Sequence, residues 1–156
     1  MVTSYTCHPS MADNECSGSV VLAALIRQLA KMGGHHRYTY RFVLNPETIG
    51  SITYLSRNLE HLKEHLVAGI VLSCVGDDRD YSIIHSRYAD TIADKSLAAV
   101  LKGKQKHTEY SFLKRGSDER QYNAPGIELP VVGFCRTKYG ISVQNRSIGD
   151  RSIKEG

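Results

Sequence analysis

The sequence predicts an α/β protein in three layers, a mixed or mostly parallel sheet flanked by helices. Three observations lead there. Strand-like and helix-like segments alternate along the chain. The stretch Ala68-Gly69-Ile70-Val71-Leu72-Ser73-Cys74-Val75 is a nearly unbroken apolar run, the pattern of a strand buried on both faces. The 156 residues, 41% hydrophobic and 23% charged, match one globular domain and argue against disorder.

The elements follow in order. Residues 4–7 read as a short strand. Residues 17–32 form a helix: Ser17 offers a cap hydroxyl, Val21, Leu22, Leu25, Ile26 and Leu29 recur on one face, and Gly33-Gly34 stops it. Residues 38–44 alternate aromatic and polar positions before turning apolar, which suits a strand, and Asn45-Pro46 breaks it. Residues 48–55 and 58–66 read as two short helical pieces, the second with Leu59, Leu62 and Leu66 at helical spacing. The apolar run 68–75 follows and ends at Gly76-Asp77-Asp78. Residues 81–85 are a further strand, 91–101 a helix closed by Gly103, 108–113 a strand of mixed character, and 129–135 the last strand. The polar, aperiodic residues 141–156 are expected to be poorly ordered.

Composition narrows the function. The longest apolar run, 20–26, is far short of the roughly 18–20 residues a membrane span needs, and no secretory leader opens the chain. The net charge of +4 is spread along the sequence, so neither nucleic acid nor a membrane surface is an expected partner. Cys7, Cys16, Cys74 and Cys135 lie far apart with no C-x-x-C pair, which points to a reduced, cytoplasmic setting. His35-His36 and the His61/His65 pair read as surface groups, and 103–107 as a basic loop too short for a nucleic-acid patch.

In layered α/β folds ligands sit outside the carboxyl ends of the strands. Four segments there carry polar chemistry: 7–18, 45–51, 75–78 and 115–121. Each places carboxylates at a junction, and the first adds His8. Asp, Asn, Ser and Pro are also ordinary turn and cap residues, and any one of these segments alone is explained that way. Their coincidence in one small fold points to a metal-hydrolase site, because imidazole and carboxylate are donors that zinc accepts.

Six motifs occur in order: Cys7-His8-Pro9-Ser10 to Ser17-Gly18, Pro46-Glu47-Thr48-Ile49-Gly50-Ser51, Cys74-Val75-Gly76-Asp77, Gly116-Ser117-Asp118-Glu119-Arg120-Gln121-Tyr122, Pro125-Gly126-Ile127 and Lys138-Tyr139-Gly140. Together they resemble the bacterial aminopeptidase-like domain of unknown function, whose members are associated with polysaccharide biosynthesis. That family is similar in turn to zinc-dependent aminopeptidases with a phosphorylase/hydrolase-like α/β fold. The resemblance implies residue roles. His8 matches a zinc ligand and Glu47 the general base. At the place of the zinc-bridging aspartate stands Asn14, with Asp13 and Glu15 on either side. Thr48 replaces a second, zinc-binding glutamate. Ser73 falls in register with a further aspartate ligand, and Asp77 is the nearest carboxylate. No histidine follows His107, so the last ligand of the family pattern is missing.

The implied metal set is thus His8, Asp13 and Asp77, holding zinc weakly or not at all. Asp118 and Arg120 are implied to bind a substrate amine or carboxylate, or to form an ion pair pinning their loop. The reaction implied is attack of metal-activated water on a small peptide or amide-bearing metabolite; the alternative is a non-catalytic binding or scaffold relative. Because the whole domain in that family is longer, residues 1–140 are expected to form the central part of a larger domain and 141–156 a divergent tail. Its exposed sheet edge would be open to oligomer pairing.

Overall fold

The computed structural model describes residues 1–9, 11–104 and 107–138. Six strands form one sheet: β1 (Val2–Tyr5), β2 (Phe42–Asn45), β3 (Gly69–Leu72), β4 (Ser82–Ile84), β5 (Thr108–Tyr110) and β6 (Val131–Cys135). Their spatial order is β2-β1-β3-β6-β4-β5. Strands β2, β1, β3 and β6 run parallel; β4 meets β6 antiparallel and pairs in parallel with β5. The expected mixed α/β sheet is what the chain forms. The last motif, beyond Lys138, and the tail 141–156 lie outside the described residues.

Four helices connect the strands: α1 (Ser17–Met32), α2 (Ile49–His65), α3 (Ile92–Leu101) and α4 (Glu119–Tyr122). From β1 the chain steps through α1 to β2 on one side, then through α2 to β3 on the other. Right-handed crossovers therefore put α1 and α2 on opposite faces, and make the β1/β3 boundary the point where strand order reverses. On the α2 face, Leu55 and Leu62 pack with Val71, Tyr122, Leu129 and Val131, all buried. Each such aliphatic burial contributes roughly 1.5–3 kcal/mol.

Helix α1 matches its expected bounds, yet only Gly18 and Leu22 on it are buried, and Leu25 and Ile26 stay exposed. The lengths explain this. Sixteen helical residues span about 24 Å, whereas strands β1 and β2, of four residues, cover only about 13 Å. Its first turn lies directly on the sheet: a Cβ at Gly18 would stand 2.4 Å from Ser4 Oγ and 2.7 Å from the Leu72 carbonyl oxygen.

The two expected helical pieces after residue 48 are one helix, α2. No proline interrupts them, and the polar side chains at the supposed break bond back into the helix. Ser56 Oγ donates to the Thr53 carbonyl at 2.8 Å, and Asn58 Nδ2 to that of Tyr54 at 2.8 Å. Strand β3 ends sooner than its apolar run because Cys74 turns into the left-handed region at φ 48°. Helix α3 starts on a capping box in which Thr91 and Asp94 bond each other's backbone N–H groups.

Candidate functional site

Four parallel strands deliver their carboxyl ends to one edge of the sheet, and the polar segments read from the sequence meet there. After β1 come Cys7 and His8. A π-helical turn, Ala12–Cys16, then swings Glu15 back over them. Glu15 is buried; its Oε1 lies 2.8 Å from His8 Nδ1, and its Oε2 accepts the Cys7 backbone N–H. Cys7 Sγ is 3.9 Å from His8 Nε2. These three residues offer ligand atoms within 4.8 Å of one another. Among the described residues no other trio of histidine, cysteine and acidic side chains does so.

Glu47 arrives from the end of β2. Its Oε1 accepts the Ser117 hydroxyl at 3.0 Å, which leaves Oε2 facing Cys7 Sγ at 3.6 Å and His8 Nδ1 at 4.0 Å. The turn that presents it is strained. Thr48 sits at φ 62°, ψ −69°, and Ile49 N donates to the Glu47 carbonyl at 2.7 Å, a γ-turn of the rare positive-φ kind. Asp118 holds this turn from below, its Oδ1 accepting Thr48 N at 2.7 Å and Ser51 Oγ at 3.1 Å. Strand β5 runs the other way, but the segment after it brings Ser117 and Asp118 back to the β2–α2 loop.

The electrostatics follow from crowding of acids. Burial, with Glu47 and Glu119 nearby, raises Asp118 to about 6 despite its two bonds, and its Oδ2 is buried with no hydrogen-bond partner. Desolvation, then Glu47 and Glu15, push the Cys7 thiol above its ordinary value. Burial likewise pushes Cys74, beneath the site, up to about 12.

The structure distributes the residues of the sequence reading unevenly. His8 and Glu47 come together. Asp13 is turned to the backbone, its Oδ1 accepting Gly76 N at 2.7 Å. Asp77 is engaged on both oxygens: Oδ1 accepts Thr137 Oγ1 at 2.8 Å, and Oδ2 lies 3.2 Å from Arg79 Nη2. These bonds outweigh its desolvation and hold its pKa low. Neither belongs to the trio around His8. Asp118 is wholly buried under the turn, where it bonds Thr48 and Ser51. Arg120 is exposed, with Nη2 3.4 Å from Thr48 Oγ1, and forms no ion pair with Asp118 among the described contacts. Cys7, Glu15 and Ser117 stand in or beside the motifs, but the sequence assigned them no role. The signal for Cys7 was only its adjacency to His8.

Thiolate, imidazole and carboxylate are together a donor set that suits zinc. An open pocket of about 610 Å³ lies over Cys7, His8 and Glu15, with Pro9, Met11 and Val20 in its wall. A separate cleft of about 780 Å³ runs along α2 past Leu59 and Ile127, away from the strand ends. Its lining is mostly that of a helix side, so size alone does not mark it as the reactive centre. No helix among the described residues is long and apolar enough to cross a membrane.

Fold and site together define a doubly wound α/β protein with an acid- and imidazole-bearing cluster past the carboxyl ends of β1 and β2. The chain belongs to the family described as domain of unknown function DUF4910, which residues 1–147 match. It is 41% identical over 142 residues to a Clostridium acetobutylicum protein named "Putative polysaccharide biosynthesis protein with aminopeptidase-like domain", covering 90% of this chain and 32% of that one. A crystal structure from the same organism, described as a "putative peptidase", matches with a TM-score of 0.83 and 39% identity, over 90% of this chain and 33% of its own. The chain thus spans about a third of the length of each relative it matches. The family and fold inferred from the six motifs both hold.

Proposed function

We propose that this peptidase-like domain performs metal-assisted hydrolysis of an amide bond in a small peptide or amide-bearing metabolite. The observation that carries the reading is the meeting of His8, Glu15 and Glu47 past the ends of β1 and β2, with His8 and Glu15 lining an open pocket. A bound divalent cation, zinc in this reading, would lower the pKa of a water and polarise the scissile carbonyl. His8 would be one of the residues holding it. Glu47 takes the proton from the attacking water on Oε2, while Ser117 holds Oε1 and leaves Oε2 toward Cys7 and His8. Asp118 is a positioning residue that keeps the Thr48 turn, and with it Glu47, in place. The exposed Arg120 guanidinium beside Thr48 receives a substrate carboxylate. The name of the Clostridium relative suggests polysaccharide biosynthesis as the setting.

A second reading, a non-catalytic binding or scaffold protein, is favoured by Thr48 in place of a second carboxylate and by the engagement of Asp77 with Arg79 and Thr137. Hydrolysis of aminoacyl chromogenic substrates with added zinc separates the two. Activity that drops by about 100-fold or more in Glu47→Gln supports the hydrolase. No turnover by the wild type, or turnover untouched by Glu47→Gln, removes it.

A further inference from the structure

The donors gathered around His8 differ from those the family resemblance implies, and the difference has a chemical consequence. Asp13 accepts the Gly76 N–H, Asp77 is held by Arg79 and Thr137, and neither lies in the cluster at His8. Cys7 and Glu15 stand at the imidazole instead. For tetrahedral zinc, bonds of about 2.3 Å to sulfur and 2.0–2.1 Å to nitrogen put those two donors about 3.6 Å apart. Cys7 Sγ and His8 Nε2 are 3.9 Å apart already. Glu15 is buried and held by the Cys7 N–H, so this carboxylate is fixed against the same two residues before any ion arrives.

We propose that the chain binds one thiophilic divalent cation, of the Zn²⁺ or Co²⁺ type, through Cys7 Sγ, a ring nitrogen of His8 and the Glu15 carboxylate. This rests on the metal-assisted reading above and specifies its ligands. Binding would replace the Cys7 S–H bond with a metal–sulfur bond and release that proton to solvent. Three protein donors leave one position for water or substrate, as in catalytic zinc sites. The thiolate also sets the selectivity: a soft ligand favours zinc and cobalt and disfavours magnesium, calcium and manganese, which prefer all-oxygen sites.

The test is titration of the metal-free, full chain with Co²⁺, followed by absorption. One equivalent of cobalt should give a thiolate-to-Co(II) charge-transfer band in the near ultraviolet, bleached by stoichiometric Zn²⁺ and untouched by excess Mg²⁺. Cys7→Ser should abolish the band and Glu15→Gln should weaken cobalt binding by about 10-fold or more, while Cys16→Ser should leave both unchanged. Far-UV circular dichroism of each variant shows that it is folded; if Cys7→Ser is not, Cys7→Ala replaces it. Cobalt bound without the band, or a band that survives loss of the Cys7 sulfur, overturns this ligand set and leaves metal-assisted hydrolysis standing. Wild type that retains no cobalt or zinc overturns both.

Discussion

Asp118→Asn is expected to stabilise the protein progressively as pH rises. The carboxyl is completely buried; Oδ1 takes bonds from Thr48 and Ser51, and Oδ2 has no partner. Burial raises its pKa from an ordinary 3.8 to about 6. A folded-state pKa above the unfolded one means that the native state resists ionisation. Stability is therefore lost as pH rises from 3.8 through 6, and the loss is complete above that. A rise of that size corresponds to about 3 kcal/mol. The variant keeps an Oδ1 acceptor but leaves an amide N–H without a partner, a fixed cost of about 1–3 kcal/mol that does not change with pH. Two-state urea unfolding of both proteins between pH 4 and pH 8 separates the two effects. The stability difference should move in favour of the variant by roughly 2–3 kcal/mol across that range. Asp77 and Asp94, whose pKa values are lowered, and His85, whose pKa is raised, titrate alike in both proteins and cancel. A difference that stays flat within about 0.5 kcal/mol would show that Asp118 is not a strained buried acid.

Other outcomes follow from the same geometry. Gly18→Ala should cost about 1–3 kcal/mol or prevent soluble expression, because its Cβ would collide with the Leu72 carbonyl as well as Ser4; an unchanged thermal midpoint would contradict the packing of α1 on β1 and β3. His85 bridges Asp94 and Glu109 at 2.8 Å each, and although its burial works against the charge, those bonds raise its pKa. Its contribution, on the order of 1 kcal/mol given the exposed Glu109, is fully present below pH 6.5 and disappears as pH rises through the raised folded value. His85→Gln should therefore be least destabilising at alkaline pH, and chemical denaturation at pH 6 and pH 9 would reveal the opposite trend if the bridge were uncharged.

The sequence made the local order of the chain legible where periodicity was strong and the ends were marked. Helix α1 has Ser17 at one end and Gly33-Gly34 at the other, and its bounds agree with the structure. The apolar run in β3 correctly announced a central strand. What periodicity cannot report is depth: Leu25 and Ile26 have the spacing of a core face but lie beyond the reach of short strands. Sequence was enough to place His8 and Glu47 past strand ends, where the structure brings them within 4.0 Å of each other. Their partners were not legible. Glu15 reaches His8 only because a π-helical turn rotates it past Asp13 and Asn14, and a one-residue rotation of that kind has no signature in composition or spacing. Asp118 carries the same message, since sequence shows a charged residue in a loop and only the fold shows that it is sealed under another turn.

The strand order β2-β1-β3-β6-β4-β5 also sets a constraint in time. Among the described strands β6 is synthesised last and lies between β3 and β4, so until it is made the β2-β1-β3 and β4-β5 portions are two unjoined ribbons. Each presents an unpaired inner edge until Val131–Cys135 has left the ribosome. Closure of the sheet between these two portions therefore waits on β6. A message interrupted before that codon would release a product whose most adhesive surfaces are the ones that the finished protein hides.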